Sequence, residues 1–115
     1  MAWRSAIEGL EVEQVIRHIV FFSARDPADL ERIEAGLKRL ERIAAADRLE
    51  VRRNLGRDAL GNEVDIVVYG EFADAAALAA YKADPLYAEA TALVRPLREL
   101  RLAADIQSEA VTFAP

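Results

Sequence analysis

Two segments of this chain are apolar on both faces of an extended strand, and a single layer of helices can cover only one face of a sheet. In residues 15–22, VIRHIVFF, the row Ile16, His18, Val20 and Phe22 alternates with Val15, Arg17, Ile19 and Phe21. In residues 65–72, DIVVYGEF, the row Ile66, Val68, Gly70 and Phe72 alternates with Asp65, Val67, Tyr69 and Glu71. Strands of this kind belong at the centre of a sheet, with both faces buried. A second copy of the same sheet is the economical cover for the face that the helices leave open, so the pattern predicts a homodimer.

The remaining segments order themselves around these strands. Strand one is expected over 15–23. Asp26-Pro27 reads as a helix cap with proline in the first turn, and Leu30, Ile33, Leu37, Leu40 and Ala44 form an apolar helical stripe ending near Ala46. Strand two is expected over 49–55, and a loop with Asp58, Gly61 and Asn62 leads into strand three over 65–72. Asp74 caps a helix over 75–82. Asp84-Pro85 breaks it and starts a second piece that runs to about Val94 and is ended by Pro96. Strand four is expected over 99–106. The order is β-α-β-β-α-β, an α+β chain with a four-stranded antiparallel sheet and helices on one face, in ferredoxin-like topology.

At 115 residues the chain has the size of one domain. Residues 1–14 read as an N-terminal extension, 15–106 as the folded domain and 107–115 as a tail that adds a short edge strand. Trp3, Ile7 and Leu10 are spaced for one short amphipathic helix or for an arm packed on a partner. Trp3 and Phe113 read as packing anchors.

Composition excludes several function classes. There is no cysteine and one histidine, which argues against a structural zinc site, and no D-x-D-x-D-G calcium loop is present. The net charge of −5 argues against nucleic acid as a partner. Strand three also lacks the basic and aromatic pattern of an RNA-binding sheet. No apolar run is long enough to cross a membrane. Arg4 mixed with Glu8, Glu11 and Glu13 is not a signal peptide, which leaves the cytoplasm as the expected location. Arginines gather at Arg52, Arg53 and Arg57 and at Arg95, Arg98 and Arg101. Both groups read as solvated or intersubunit ion-pair surface rather than as an anion site.

The polar residues within the apolar strands are the candidate functional groups. His18 is the only histidine, and a ring at the centre of a core strand must be hydrogen-bonded, functional, or both. On the helix-facing row it lines a space between sheet and helices together with Tyr81 and Tyr87, whose relative direction the helix break leaves open. The plainer alternative is a core histidine bonded to a carbonyl, carboxylate or tyrosine. Arg17, on the opposite row, needs a carboxylate among Asp65, Glu71, Glu99 and Asp105. Asp105 is the expected partner, because strands one and four are neighbours and it is assigned to the outward phase of strand four.

The ordered set R-H-I-V-F-F, D-I-V-V-Y-G-E-F, A-L-A-A-Y-K-A-D-P-L-Y and a last strand ending A-A-D-I resembles the stress-responsive α/β-barrel (Dabb) domain family, over about residues 15–106. The resemblance implies a dimeric α/β barrel built from two ferredoxin-like subunits, and no cofactor. It implies a match of His18 to the family's first-strand histidine and of Tyr81 to a tyrosine near the pocket of a plant polyketide cyclase. The family often follows that tyrosine with H-P-x-H, whose second histidine is the cyclase's general base. Here the segment is Asp84-Pro85-Leu86-Tyr87, which keeps the proline and places Tyr87 where that base stands. A haem-degrading barrel is disfavoured, because no helix offers a histidine ligand. The expected function is a stress-responsive homodimer that binds a small apolar ligand beside His18 without catalysis. The alternative is a cofactor-independent enzyme, polyketide cyclase-like or related, with His18, Tyr81 and Tyr87 as its catalytic groups.

Overall fold

The structure, a computed structural model, describes residues 10–113. Four strands, β1 (Leu10–Ala24), β2 (Arg48–Arg53), β3 (Ile66–Phe72) and β4 (Arg98–Phe113), form one antiparallel sheet in the order β2-β3-β1-β4. Three helices, α1 (Leu30–Lys38), α2 (Ala75–Ala83) and α3 (Pro85–Val94), accompany it. This is the expected ferredoxin-like arrangement. No helix among the described residues is long and apolar enough to cross a membrane.

The caps fall where the side chains allow them. The Asp74 side chain accepts from Ala77 N at the start of α2, and the Asp84 side chain accepts from Leu86 N at the start of α3. Pro85 occupies the first turn of α3, where its missing N–H costs nothing. The first helical segment is shorter than its apolar stripe suggests. It opens with a 3-10 turn over Pro27–Asp29 and closes with another over Arg39–Arg42, and Ala44 is exposed beyond it. Leu37, Leu40 and Ile43 recur every third residue and are all buried, a spacing that the tighter turn keeps on one side.

β1 and β4 are both longer than expected. Residues 10–14 and 107–113 pair with one another, from Leu10 opposite Phe113 to Val15 opposite Ser108, where 15–23 and 99–106 were the expected strands. Residues 107–113 thus continue β4 and form no separate edge strand, and Leu10 is in strand rather than helix. Trp3 and Ile7 lie outside the described residues. β2 is shorter, ending at Arg53. Beyond it Asn54 reaches both Gly56 N and Val64 O, and Gly56 takes a left-handed φ of 69°.

The core lies between the sheet and the helices. Val20 and Phe22 from β1, Val51 from β2 and Ile66, Val68 and Phe72 from β3 meet Ile33, Leu37, Tyr81, Ala90 and Val94 from the helices. Gly70, on the same row, leaves room that its neighbours fill, since a Cβ there would come within 2.8 Å of the Phe72 ring and 2.9 Å of Leu49. The other face has no helix over it. Phe21 is 38% exposed, and on β4 Leu102 opposite it and Ile106 opposite Arg17 are 56% and 47% exposed.

Arg17 sits on that open face, with a partner other than the expected one. Its guanidinium donates to Glu71 at 2.9 Å and to the Tyr69 hydroxyl, which itself donates to Glu71 at 2.6 Å. The reason is register. Arg17 is directly opposite Glu71, whereas Asp105 is directly opposite His18 and shares its face.

Candidate functional site

β1 carries His18 to the middle of the sheet, between Gly70 of β3 and Asp105 of β4. The residue is 2% exposed, so an unsatisfied ring nitrogen sealed in the core would cost about 1–3 kcal/mol. Asp105 supplies the partner, as Nδ1 of His18 is hydrogen-bonded to its Oδ1. A carboxylate only accepts, so Nδ1 carries a proton, and in the neutral form of the ring Nε2 is the acceptor. Asp105 lies on an edge strand, and its side chain remains 43% exposed. One end of the pair is therefore wet and the other dry.

Aromatic rings hold the imidazole from the helix side. Phe72 and Tyr81 meet it nearly edge-on, with centroids at 6.3 and 6.0 Å. Phe72 and Tyr81 are 5.0 Å apart, and Tyr81 meets Tyr87 edge-on at 5.3 Å. The break at Asp84-Pro85 settles the direction that sequence spacing leaves open: α3 leaves α2 at an angle that turns Tyr87 back onto Tyr81.

A cavity of about 30 Å³ lies between sheet and helices, lined by His18, Val20, Phe22, Tyr81, Tyr87, Arg98 and Arg101 among others. That is space for one or two waters. His18, Tyr81 and Tyr87 are thus brought together at one small void. Among the described residues, His18 Nε2 and the two tyrosine hydroxyls hold no protein partner, yet none is sealed from the void. Burial pushes the Tyr81 phenol well above its ordinary range, with Tyr87 adding to the rise and Arg101 opposing it. Tyr81 is therefore a neutral hydrogen-bond donor. An acceptor nitrogen and two hydroxyl donors converge on the space. Among the described residues no group of three or more His, Cys, Asp or Glu side chains is placed to hold a metal ion.

Three site residues escape sequence reasoning. Asp105 is missed as the partner of His18, because the alternation of β4 gives no clear phase and only register sets its face. Arg98 and Arg101 read as surface, yet both reach the cavity. The Arg52 and Arg53 cluster does behave as expected, pairing with Glu50, Glu41 and Glu34 at the surface.

The raised Tyr81 phenol has a consequence for stability. Below the ordinary tyrosine value of 10.0 the group is protonated in both folded and unfolded chains and adds no pH dependence. Above it the unfolded chain releases the proton and the folded one retains it, so stability falls by about 1.4 kcal/mol per pH unit from this group. Chemical denaturation above pH 10.0 is expected to show Tyr81→Phe losing less stability than the wild type, with the two alike at neutral pH. Parallel losses in both proteins contradict the burial of this phenol.

The family model of the stress responsive A/B barrel domain matches residues 16–108 of this chain. No curated protein matches it. Solved structures share the fold. A dimeric ferredoxin-like protein of unknown function from Thermobifida fusca is 24% identical, with a TM-score of 0.69 over 91% of this chain and 98% of that one. A Dabb family protein with a ferredoxin-like fold from Mesorhizobium loti is 23% identical, with a TM-score of 0.68 over 82% of this chain and 96% of that one. A dimeric ferredoxin-like protein of unknown function from Bacteroides fragilis is 22% identical, with a TM-score of 0.67 over 82% and 96%. At these identities the structural likeness shows the fold alone, and it is the sequence match across nearly the whole described chain that decides membership: the chain belongs to the stress responsive A/B barrel domain family.

Proposed function

We propose that two copies of this chain pack open sheet face to open sheet face, and that each copy takes a small apolar ligand into the cavity beside His18. The observation that carries the ligand reading is the convergence of three polar atoms without a protein partner among the described residues, His18 Nε2 and the Tyr81 and Tyr87 hydroxyls, on a void with otherwise largely apolar walls. Small-molecule sites have this character, with apolar walls for affinity and a few polar groups for orientation. At 30 Å³ the void admits only a few atoms as it stands. Tyr87, half-buried in the first turn of α3, is the side chain whose outward swing enlarges it. A role in stress response belongs to this reading through the family's description alone.

The dimer reading rests on the open face. Phe21, Leu102 and Ile106 are exposed there beside the half-buried Ile19 and Val67. Fully burying each large apolar side chain is worth about 1.5–3 kcal/mol. The structural neighbours from Thermobifida fusca and Bacteroides fragilis are dimeric proteins.

A second reading, proton-transfer catalysis without a cofactor, is favoured by one observation: Asp105 is hydrogen-bonded to Nδ1 of His18, and the ring lines the cavity. A histidine oriented by a carboxylate is a familiar general base. Tyr81, held protonated by burial, donates a hydrogen bond to a reacting oxygen. Tyr87, where the polyketide cyclase of the family has its histidine base, is a poor base near neutral pH.

Sedimentation velocity at low micromolar concentration is expected to show a dimer, and Phe21→Asp is expected to shift it to monomer. A stable wild-type monomer contradicts the dimer. For the ligand, thermal shifts against a panel of phenols and short acyl compounds are expected to show at least one stabiliser. At tenfold excess over its Kd the gain is about 1.4 kcal/mol, a rise of several degrees, which His18→Ala removes. No shift with any compound removes the ligand reading. A shift that His18→Ala leaves intact reduces the ring to a structural role.

A further inference from the structure

Arg98 and Arg101 distinguish this cavity from an ordinary core void. Arg98 opens β4 and is half-buried, and Arg101 follows on the helix-facing row directly opposite Phe22. Both line the cavity with His18, Tyr81 and Tyr87. Arg95, at the end of α3, adds a third positive charge close enough to act on Arg98.

Among the described residues these charges have no carboxylate in ion-pair contact. Arg17, Arg25, Arg32, Arg39, Arg48, Arg52 and Arg53 each hold a carboxylate. Arg95, Arg98 and Arg101 hold none among the described residues. Arg42 and Arg57 also hold none, but neither lines the cavity; Arg98 and Arg101 do, and Arg95, exposed like Arg101, bears on it only through its charge on Arg98. In a chain of net charge −5, acidic groups are plentiful, and still none is placed here. Burial and the two neighbouring arginines make the charge on Arg98 harder to hold, pushing its pKa down. Cations kept together beside a partly dry void are stabilised by any anion that enters, and the low dielectric there strengthens the attraction.

We propose that the cavity beside His18 binds a small carboxylate with a short apolar body, its charged head held by Arg98 and Arg101, which line the cavity, and its body against the apolar side chains that line the rest. The proposal rests on the ligand reading above and names the chemical class. Arginine suits the head, because its planar fork donates two parallel hydrogen bonds to a carboxylate. The void accounts for the short body, as it holds only a few atoms unless Tyr87 moves.

The test is a titration followed through the His18 ring signals by NMR at constant ionic strength, with butyrate, its neutral isostere butyramide, and inorganic phosphate as probes. Butyrate is expected to move the His18 signals and to bind about tenfold or more tightly than butyramide. Arg98→Gln and Arg101→Gln are each expected to remove most of that preference, while Arg57→Gln, in the exposed loop, keeps it. If Arg98→Gln weakens the fold, Arg101→Gln, with an exposed side chain, carries the comparison. Equal binding of butyrate and butyramide overturns the carboxylate inference and leaves the ligand reading standing. Phosphate moving the His18 signals as strongly as butyrate also overturns it, since a site for any anion has no use for the apolar wall. Silence from both butyrate and butyramide removes this inference, and silence from the phenol and acyl panel as well removes the ligand reading beneath it.

Discussion

A buried imidazole at the centre of the sheet imposes conditions on everything around it. His18 must have a hydrogen-bond partner on its own face, and in an antiparallel sheet the candidates are the residues directly across. Gly70, on the β3 side, has no side chain, so the partner comes from β4 as Asp105. β4 is an edge strand, so the carboxylate keeps contact with water and its burial cost stays low. The bond uses Nδ1; Phe72 and Tyr81 meet the ring edge-on, and Tyr81 and Tyr87 line the small void beside it. Site geometry and fold register are thus one fact seen from two sides.

The two faces of β1 divide the protein's work. The row with Val20 and Phe22 builds the core beneath the helices, and His18 is the polar member of that row. The other row, with Ile19 and Phe21, has no helix over it. On that face Arg17, Tyr69 and Glu71 satisfy one another, so the polar atoms of the open sheet are paired internally while the apolar ones stay exposed. A surface of this kind can be covered by a second copy without stranding a charge. Tyr69, its phenol pushed up chiefly by burial, remains a neutral donor within that cluster.

Much of this was legible in the residues. The double apolar faces, the Asp-Pro caps and the helix break at Asp84-Pro85 locate the elements, because each states a local physical need that the fold does not override. His18, Tyr81 and Tyr87 were legible as a group, and their placement at one cavity agrees with that. The rest depended on long-range pairing. Which face Asp105 occupies depends on the β1–β4 register, and Arg101, Leu102, Ala103 and Ala104 read acceptably in either phase. The lengths of β1 and β4 were hidden because residues 10–14 and 107–113 support each other only when paired. In sequence Arg98 and Arg101 resemble Arg52 and Arg53; only position in space separates a surface arginine paired with a carboxylate from one that lines a cavity.

The candidate site depends on the orientation of one ring, and the chain's single histidine makes that ring directly observable. Long-range nitrogen–proton correlation NMR on uniformly nitrogen-15-labelled protein reports which nitrogen of the neutral imidazole carries the proton. The predicted result is a protonated, hydrogen-bonded Nδ1 and a bare Nε2, with Asp105→Asn disturbing that tautomer. A proton on Nε2 in the wild type, or a tautomer indifferent to Asp105→Asn, contradicts the account, because the nitrogen offered to the cavity is then not the acceptor on which the site is built.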